Sequence, residues 1–101
     1  MINMFKIELF FDETLSEAKL KKLGSDIDAI FAEETITKAD KTLTSRTYYD
    51  NGTTLDYGYM MEAIGVLDDS LDIRKHITSA YWYNANVKEN ITTEFFNYEV
   101  R

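Results

Sequence analysis

Between Arg46 and Arg74 the chain carries six carboxylates, Asp50, Asp56, Glu62, Asp68, Asp69 and Asp72, and no Lys or Arg. Such groups accept charge-assisted hydrogen bonds and ion pairs, so an ordered array of them suits a cationic partner. His76 follows Asp72 at the spacing of one helix face, where a carboxylate can orient an imidazole and raise its pKa. That is half of an acid–base pair, and no nucleophile or oxyanion donor can be assigned to complete it. Asp68-Asp69-x-x-Asp72 lacks the glycine and the spaced oxygens of a calcium loop, and carboxylates in this arrangement suit a helix N-terminus. With no Cys and one His, the chain has no ligand set for zinc. Gly52, Gly58 and Gly65 are too far apart to cradle a phosphate. No metal and no cofactor is expected.

Two elements must position the acidic groups. Asn51-Gly52 stands between the strand-like runs ending Tyr48-Tyr49-Asp50 and starting Thr53-Thr54-Leu55, the preferred chemistry of a two-residue type I′ hairpin. In that register Tyr48 pairs with Leu55 and Thr47 with Asp56. Tyr48, Leu55, Tyr57, Tyr59 and Met61 then face the core, and Tyr49, Asp56, Met60 and Glu62 face away. Next, Asp69 or Ser70 caps a helix starting near Leu71, with Ile73, Ile77, Ala80, Tyr81 and Asn84 on its apolar stripe. Three consecutive aromatic residues on a helix cannot all be buried, so Trp82 is expected at the surface as an interface anchor. Tyr81-Trp82-Tyr83 reads equally as a strand hairpinned onto the last one.

The remaining elements follow from apolar spacing. Phe5, Ile7, Leu9 and Phe11 alternate along a first strand over 4–11. Thr14-Leu-Ser-Glu17 reads as a capping box opening a helix with Leu20, Leu23, Ile27, Ile30 and Phe31 on one stripe, ending near Glu33 or Glu34. A last strand spans roughly 92–100. The order strand, helix, strand, strand, helix, strand predicts an α+β, ferredoxin-like βαββαβ sandwich. Its four-stranded antiparallel sheet would carry both helices on one face. The other face would gather Lys6, Glu8, Phe10, Tyr49, Asp56, Met60, Glu62, Phe95, Asn97 and Glu99, a mixture suited to an interface.

Length and composition bound the function. A chain of 101 residues holds one domain, residues 1–101, and one core. The net charge of -7 disfavours direct binding to nucleic acid. Lys19-Lys21-Lys22 and Arg74-Lys75 read as solvated helix faces. The opening residues lack a basic leader and no apolar run is long enough to span a membrane, so a cytoplasmic protein is expected.

These features predict a small acidic, non-enzymatic binding protein that docks on a basic protein, with a nucleic-acid-handling protein as the partner class. Inhibitors of nucleases and of bacterial defence systems, among them anti-CRISPR and toxin-immunity proteins, work in this way. The expected partner-binding residues are Asp56, Glu62, Asp68, Asp69, Trp82, Tyr49 and Met60. The alternative is a homodimeric ferredoxin-like enzyme or ligand sensor using the open sheet face, with His76, Tyr57 and Tyr59 as its polar groups.

Overall fold

A computed structural model describes residues 4–92 of the chain. The strand β1 (Phe5–Phe11) buries Phe5, Ile7, Leu9 and Phe11, as its alternation requires. The long helix α1 (Glu17–Glu33) buries Leu20, Leu23, Gly24, Ile27 and Phe31. Its N-cap is Ser16, whose Oγ accepts the Lys19 N–H at 3.3 Å, and not the expected Thr14. Thr14 instead donates its hydroxyl to the Asp12 carboxylate at 2.6 Å, closing the turn that leads into the helix. The helix stops where Thr35 adopts a left-handed conformation with φ of 66°.

A hairpin of β2 (Ala39–Lys41) and β3 (Ser45–Tyr49) follows, with Ala39 opposite Tyr48 and Lys41 opposite Arg46. Its turn is Thr42 to Ser45, so the hairpin expected around Asn51-Gly52 does not form. Gly52, with φ of 89°, sits instead in the loop entering the helix α2 (Asp56–Asp69). The reason is a competing period. Leu55, Tyr57, Tyr59 and Met61 alternate like a strand, yet Met60, Ala63, Ile64 and Leu67 recur at helical spacing, and these four are fully buried. Burial of a whole apolar stripe, at about 1.5–3 kcal/mol per large side chain, outweighs what a half-exposed strand would gain.

The single turn α3 (Leu71–Arg74) precedes β4 (Ile77–Asn84), which hairpins onto β5 (Val87–Asn90). The long helix expected from Leu71 is therefore replaced by a strand over Tyr81-Trp82-Tyr83, and the strand reading of that run holds. Ile77, Ala80 and Trp82 all face inward because the pairing of β4 with β1 slips between Phe10 and Phe11. Ile77 pairs with Phe11 and Ser79 with Phe10, leaving Thr78 as an extra residue. That bulge puts two inward residues three positions apart and imitates a helical stripe. Beyond Thr92, the expected strand over 92–100, with Phe95, Asn97 and Glu99, lies outside the described residues.

The described residues form an α+β architecture with a five-stranded antiparallel sheet in the order β2-β3-β1-β4-β5 and three helices. It departs from the expected four strands and two helices. The core lies between one sheet face and the paired helices α1 and α2, where Phe31 stacks on Tyr48 with ring centroids 3.8 Å apart. A partly buried polar cluster locks α1 to β3. Arg46 donates from Nε to Asp28 Oδ1 at 3.0 Å and from Nη1 to the Thr42 carbonyl at 2.5 Å, and the Tyr48 hydroxyl donates to Asp28 at 2.5 Å. Burial first, and then the hydrogen bond to Asp28, push the Tyr48 phenol far above its ordinary pKa.

Candidate functional site

The six central carboxylates do not form one surface. The Asp50 carboxylate is fully buried and accepts the backbone N–H groups of Met4 and Phe5 at 2.7 and 2.8 Å, pinning the end of β3 to the start of β1. Asp56 is also buried and accepts the N–H groups of Asn51 and Thr53 at 2.8 and 3.0 Å, which orders the entry to α2. Asp68 is buried beside Arg74, whose Nη1 lies 3.8 Å from its Oδ1. Asp50 and Asp56 serve the backbone, because a partly buried loop must satisfy its N–H groups and a carboxylate does so strongly, whereas Asp68 faces Arg74. The exposed positions expected for Asp56 and Asp68 are thus corrected.

Two further expectations of exposure change with them. Met60 is fully buried on the inner stripe of α2, since its neighbourhood is helical. Trp82 is only 6% exposed, because it stands on the inner face of β4, stacked on Phe5 at 5.4 Å. Tyr57 and Tyr59, expected in the core, are exposed. His76 lies beyond α3, so its expected pairing with Asp72 along one helix face is not built; Asp72 sits 3.6 Å from Lys75.

Glu62 and Asp69 do remain at the surface, and α2 aligns them. Leu55, Tyr59, Glu62, Val66 and Asp69 recur at intervals of four and three, so they share one flank of the helix. Leu55 is 69% exposed, and Tyr59 and Val66 are exposed with it. Glu34, at the end of α1, lines the same shallow depression as Leu55, Tyr59 and Glu62. The flank is therefore apolar with carboxylates interspersed, Glu62 at its middle and Asp69 at its end. Leu55 and Val66 were not anticipated, although their spacing with Glu62 and Asp69 was the available signal.

The second surface is the outer face of the sheet. Register places Tyr49, Lys6, Tyr83 and Lys88 in one row across β3, β1, β4 and β5. The next row holds Asp40, Thr47, Glu8, Tyr81 and Asn90. Lys6, Glu8, Phe10 and Tyr49 lie here as expected; Asp56, Met60 and Glu62 do not. Lys6 Nζ sits 4.2 Å from the Tyr83 ring and Lys88 Nζ 4.3 Å from the Tyr81 ring. Tyr83 donates to Glu8 at 3.0 Å and Tyr49 to Asp40 at 2.6 Å. The bond to Asp40 raises the pKa of Tyr49, and hydrogen bonding with Tyr83 raises that of Lys88. This face is internally paired, with each ring engaged by a neighbouring side chain.

Comparison with known proteins finds no matching family model, no matching curated protein and no matching solved structure. Among the described residues no three His, Cys, Asp or Glu side chains converge on a possible metal position. No helix there is long and apolar enough to cross a membrane.

Proposed function

We propose that this is a non-enzymatic binding protein that docks on a cationic protein through the exposed flank of α2. The observation that carries the reading is the stripe of Leu55, Tyr59, Glu62, Val66 and Asp69, with Glu34 beside it. Apolar groups in line supply the area that leaves water on docking, and the flanking carboxylates steer a basic surface into register. Nucleic-acid-handling proteins are the favoured partner class, since their phosphate-binding grooves are cationic before any nucleic acid arrives. An inhibitor of a nuclease or of a defence complex, acting in the cytoplasm, fits this chemistry. Of the residues first singled out, Glu62 and Asp69 keep this role, whereas Asp56, Asp68 and Met60 act by shaping α2. Trp82 and Tyr49 lie off the flank.

The frame supports a finer reading as well. The first four strands follow the order β2-β3-β1-β4, with α1 between β1 and β2 and α2 between β3 and β4. We read this as a ferredoxin-like frame extended by β5.

The test is capture of the partner from the native host, identification, and titration of the purified pair. Glu62→Lys with Asp69→Lys should weaken binding by about tenfold or more and reduce its salt dependence. Unchanged affinity, or a partner that is itself acidic, removes the proposal. A second reading, a homodimer through the outer sheet face, is favoured by Phe10, Tyr49, Tyr81 and Tyr83 sharing that face. A dimeric mass in solution that falls to a monomer in Phe10→Asp would support it.

A further inference from the structure

Beside the α2 flank, where α2 meets the β4–β5 hairpin, Tyr57, Trp82, Asn84, Val87 and Glu89 line an open cleft of about 460 Å³. The Tyr57 and Trp82 rings meet nearly at right angles, with centroids 5.5 Å apart and an interplanar angle of 82°. Phe5 backs both, stacked on Trp82 and edge-on to Tyr57 at 5.7 Å, so the two walls are held in place. Glu89 stands directly across from Trp82 in the β4–β5 register and brings the carboxylate of the lining. Val87 is 68% exposed at the rim. Among the described residues no Lys or Arg lines the cleft.

That last point separates these rings from the tyrosines of the outer sheet face. There Lys6 and Lys88 already lie over Tyr81 and Tyr83. The Tyr57–Trp82 corner has the same ring chemistry and a carboxylate, without a cation of its own among its lining residues. The negative faces of aromatic rings attract cations, and an adjacent carboxylate adds to the attraction. Tyr57 is 48% exposed and Trp82 only 6%, so Tyr57 supplies most of the open ring surface beside Glu89, and a corner this small suits a compact, roughly spherical head. A guanidinium needs a parallel plane to stack on and a bidentate carboxylate partner, and fits a right-angled corner less well.

We infer that this cleft is a receptor for the ammonium head of a lysine side chain of the partner, with the methylated head preferred. Methylation spreads the charge and removes N–H groups that would otherwise have to be desolvated, which suits the side of the cleft formed by Tyr57, Trp82 and Val87. The inference deepens the reading of a cationic partner. It rests on separate residues, so loss of binding here leaves the α2 flank standing.

Trp82 is the sole tryptophan of the chain, so its indole N–H resonance and its fluorescence report on the cleft without ambiguity. Tetramethylammonium is the cationic probe and 2,2-dimethyl-1-propanol, of similar shape without charge, is the neutral one. The expected result is a saturable shift of the indole signal with tetramethylammonium that the alcohol does not reproduce. Tyr57→Leu and Glu89→Gln should each weaken it by about fivefold. Glu89 is exposed, so Glu89→Gln decides the matter should Tyr57→Leu lower the melting temperature. A shift that never saturates, equal binding of the alcohol, or indifference to Glu89→Gln overturns the inference. Trimethyllysine amide binding no more tightly than lysine amide overturns the preference for methylation.

Discussion

The guanidinium of Arg46 occupies the space beside Gly24 in which any larger residue would place its Cβ. Gly24 lies in the middle of α1, where Ala would raise helix propensity by up to about 1 kcal/mol. Arg46 cannot yield freely, because Asp28 and the Thr42 and Ser45 carbonyls hold it. Gly24→Ala should therefore destabilise the fold by about 1–3 kcal/mol, measured by urea unfolding. In an Arg46→Ala background the same substitution should become neutral or stabilising. A stabilising effect in the wild-type background would refute the close approach.

Asp28 sets an acid limit on stability. Burial raises its pKa, but hydrogen bonds from Tyr48, Arg46 and Lys41 outweigh burial and bring it below the ordinary 3.8. A carboxyl whose folded pKa is depressed contributes stability that is complete above its unfolded pKa and is lost as pH falls through the folded one. The gap in unfolding midpoint between the wild type and Asp28→Asn should stay constant from neutral pH to about pH 5 and close below pH 4. A gap that does not narrow as pH falls below 4 would contradict this account.

Tyr48 sets the alkaline counterpart. Its phenol is held neutral in the folded state, so its contribution is present below the ordinary value of 10.0 and is lost as pH rises beyond it. Tyr48→Phe should be less stable than the wild type at neutral pH by about 1 kcal/mol and should lose less on alkaline titration. Far-ultraviolet circular dichroism against pH measures both.

The central carboxylates should divide into two classes. Asp50→Ala and Asp56→Ala each strand two backbone N–H donors, and each should cost about 2–3 kcal/mol. Glu62→Ala and Asp69→Ala lie on the exposed flank and should stay within about 0.5 kcal/mol of the wild type. Thermal midpoints of the four variants check the division, and a uniform effect would defeat it.

The sequence was most legible where one periodicity stood alone. Phe5 to Phe11 alternates without a helical competitor, and Leu20 to Phe31 repeats at three and four without an alternating one; both elements form as expected. From Leu55 to Leu67 the two periods are superimposed, and the Asn51-Gly52 pair lent weight to the wrong one. From Ile73 to Ala80 a bulge on β4 manufactured a helical spacing inside a strand. For the same reason Glu62 and Asp69 were expected at the surface and lie there, while Asp56 and Asp68 were placed outside when they are inside.

Composition and spacing alone determined an acidic chain with one core, an α+β class, and a central segment bare of cations. Tertiary structure decided which of those carboxylates meet water. Local sequence cannot report whether a backbone N–H several residues or half a chain away will need an acceptor, and Asp50, bonded to Met4 and Phe5, answers such a need. Side-chain charge is a property of the residue; its availability to a partner is a property of what the fold leaves unsatisfied nearby.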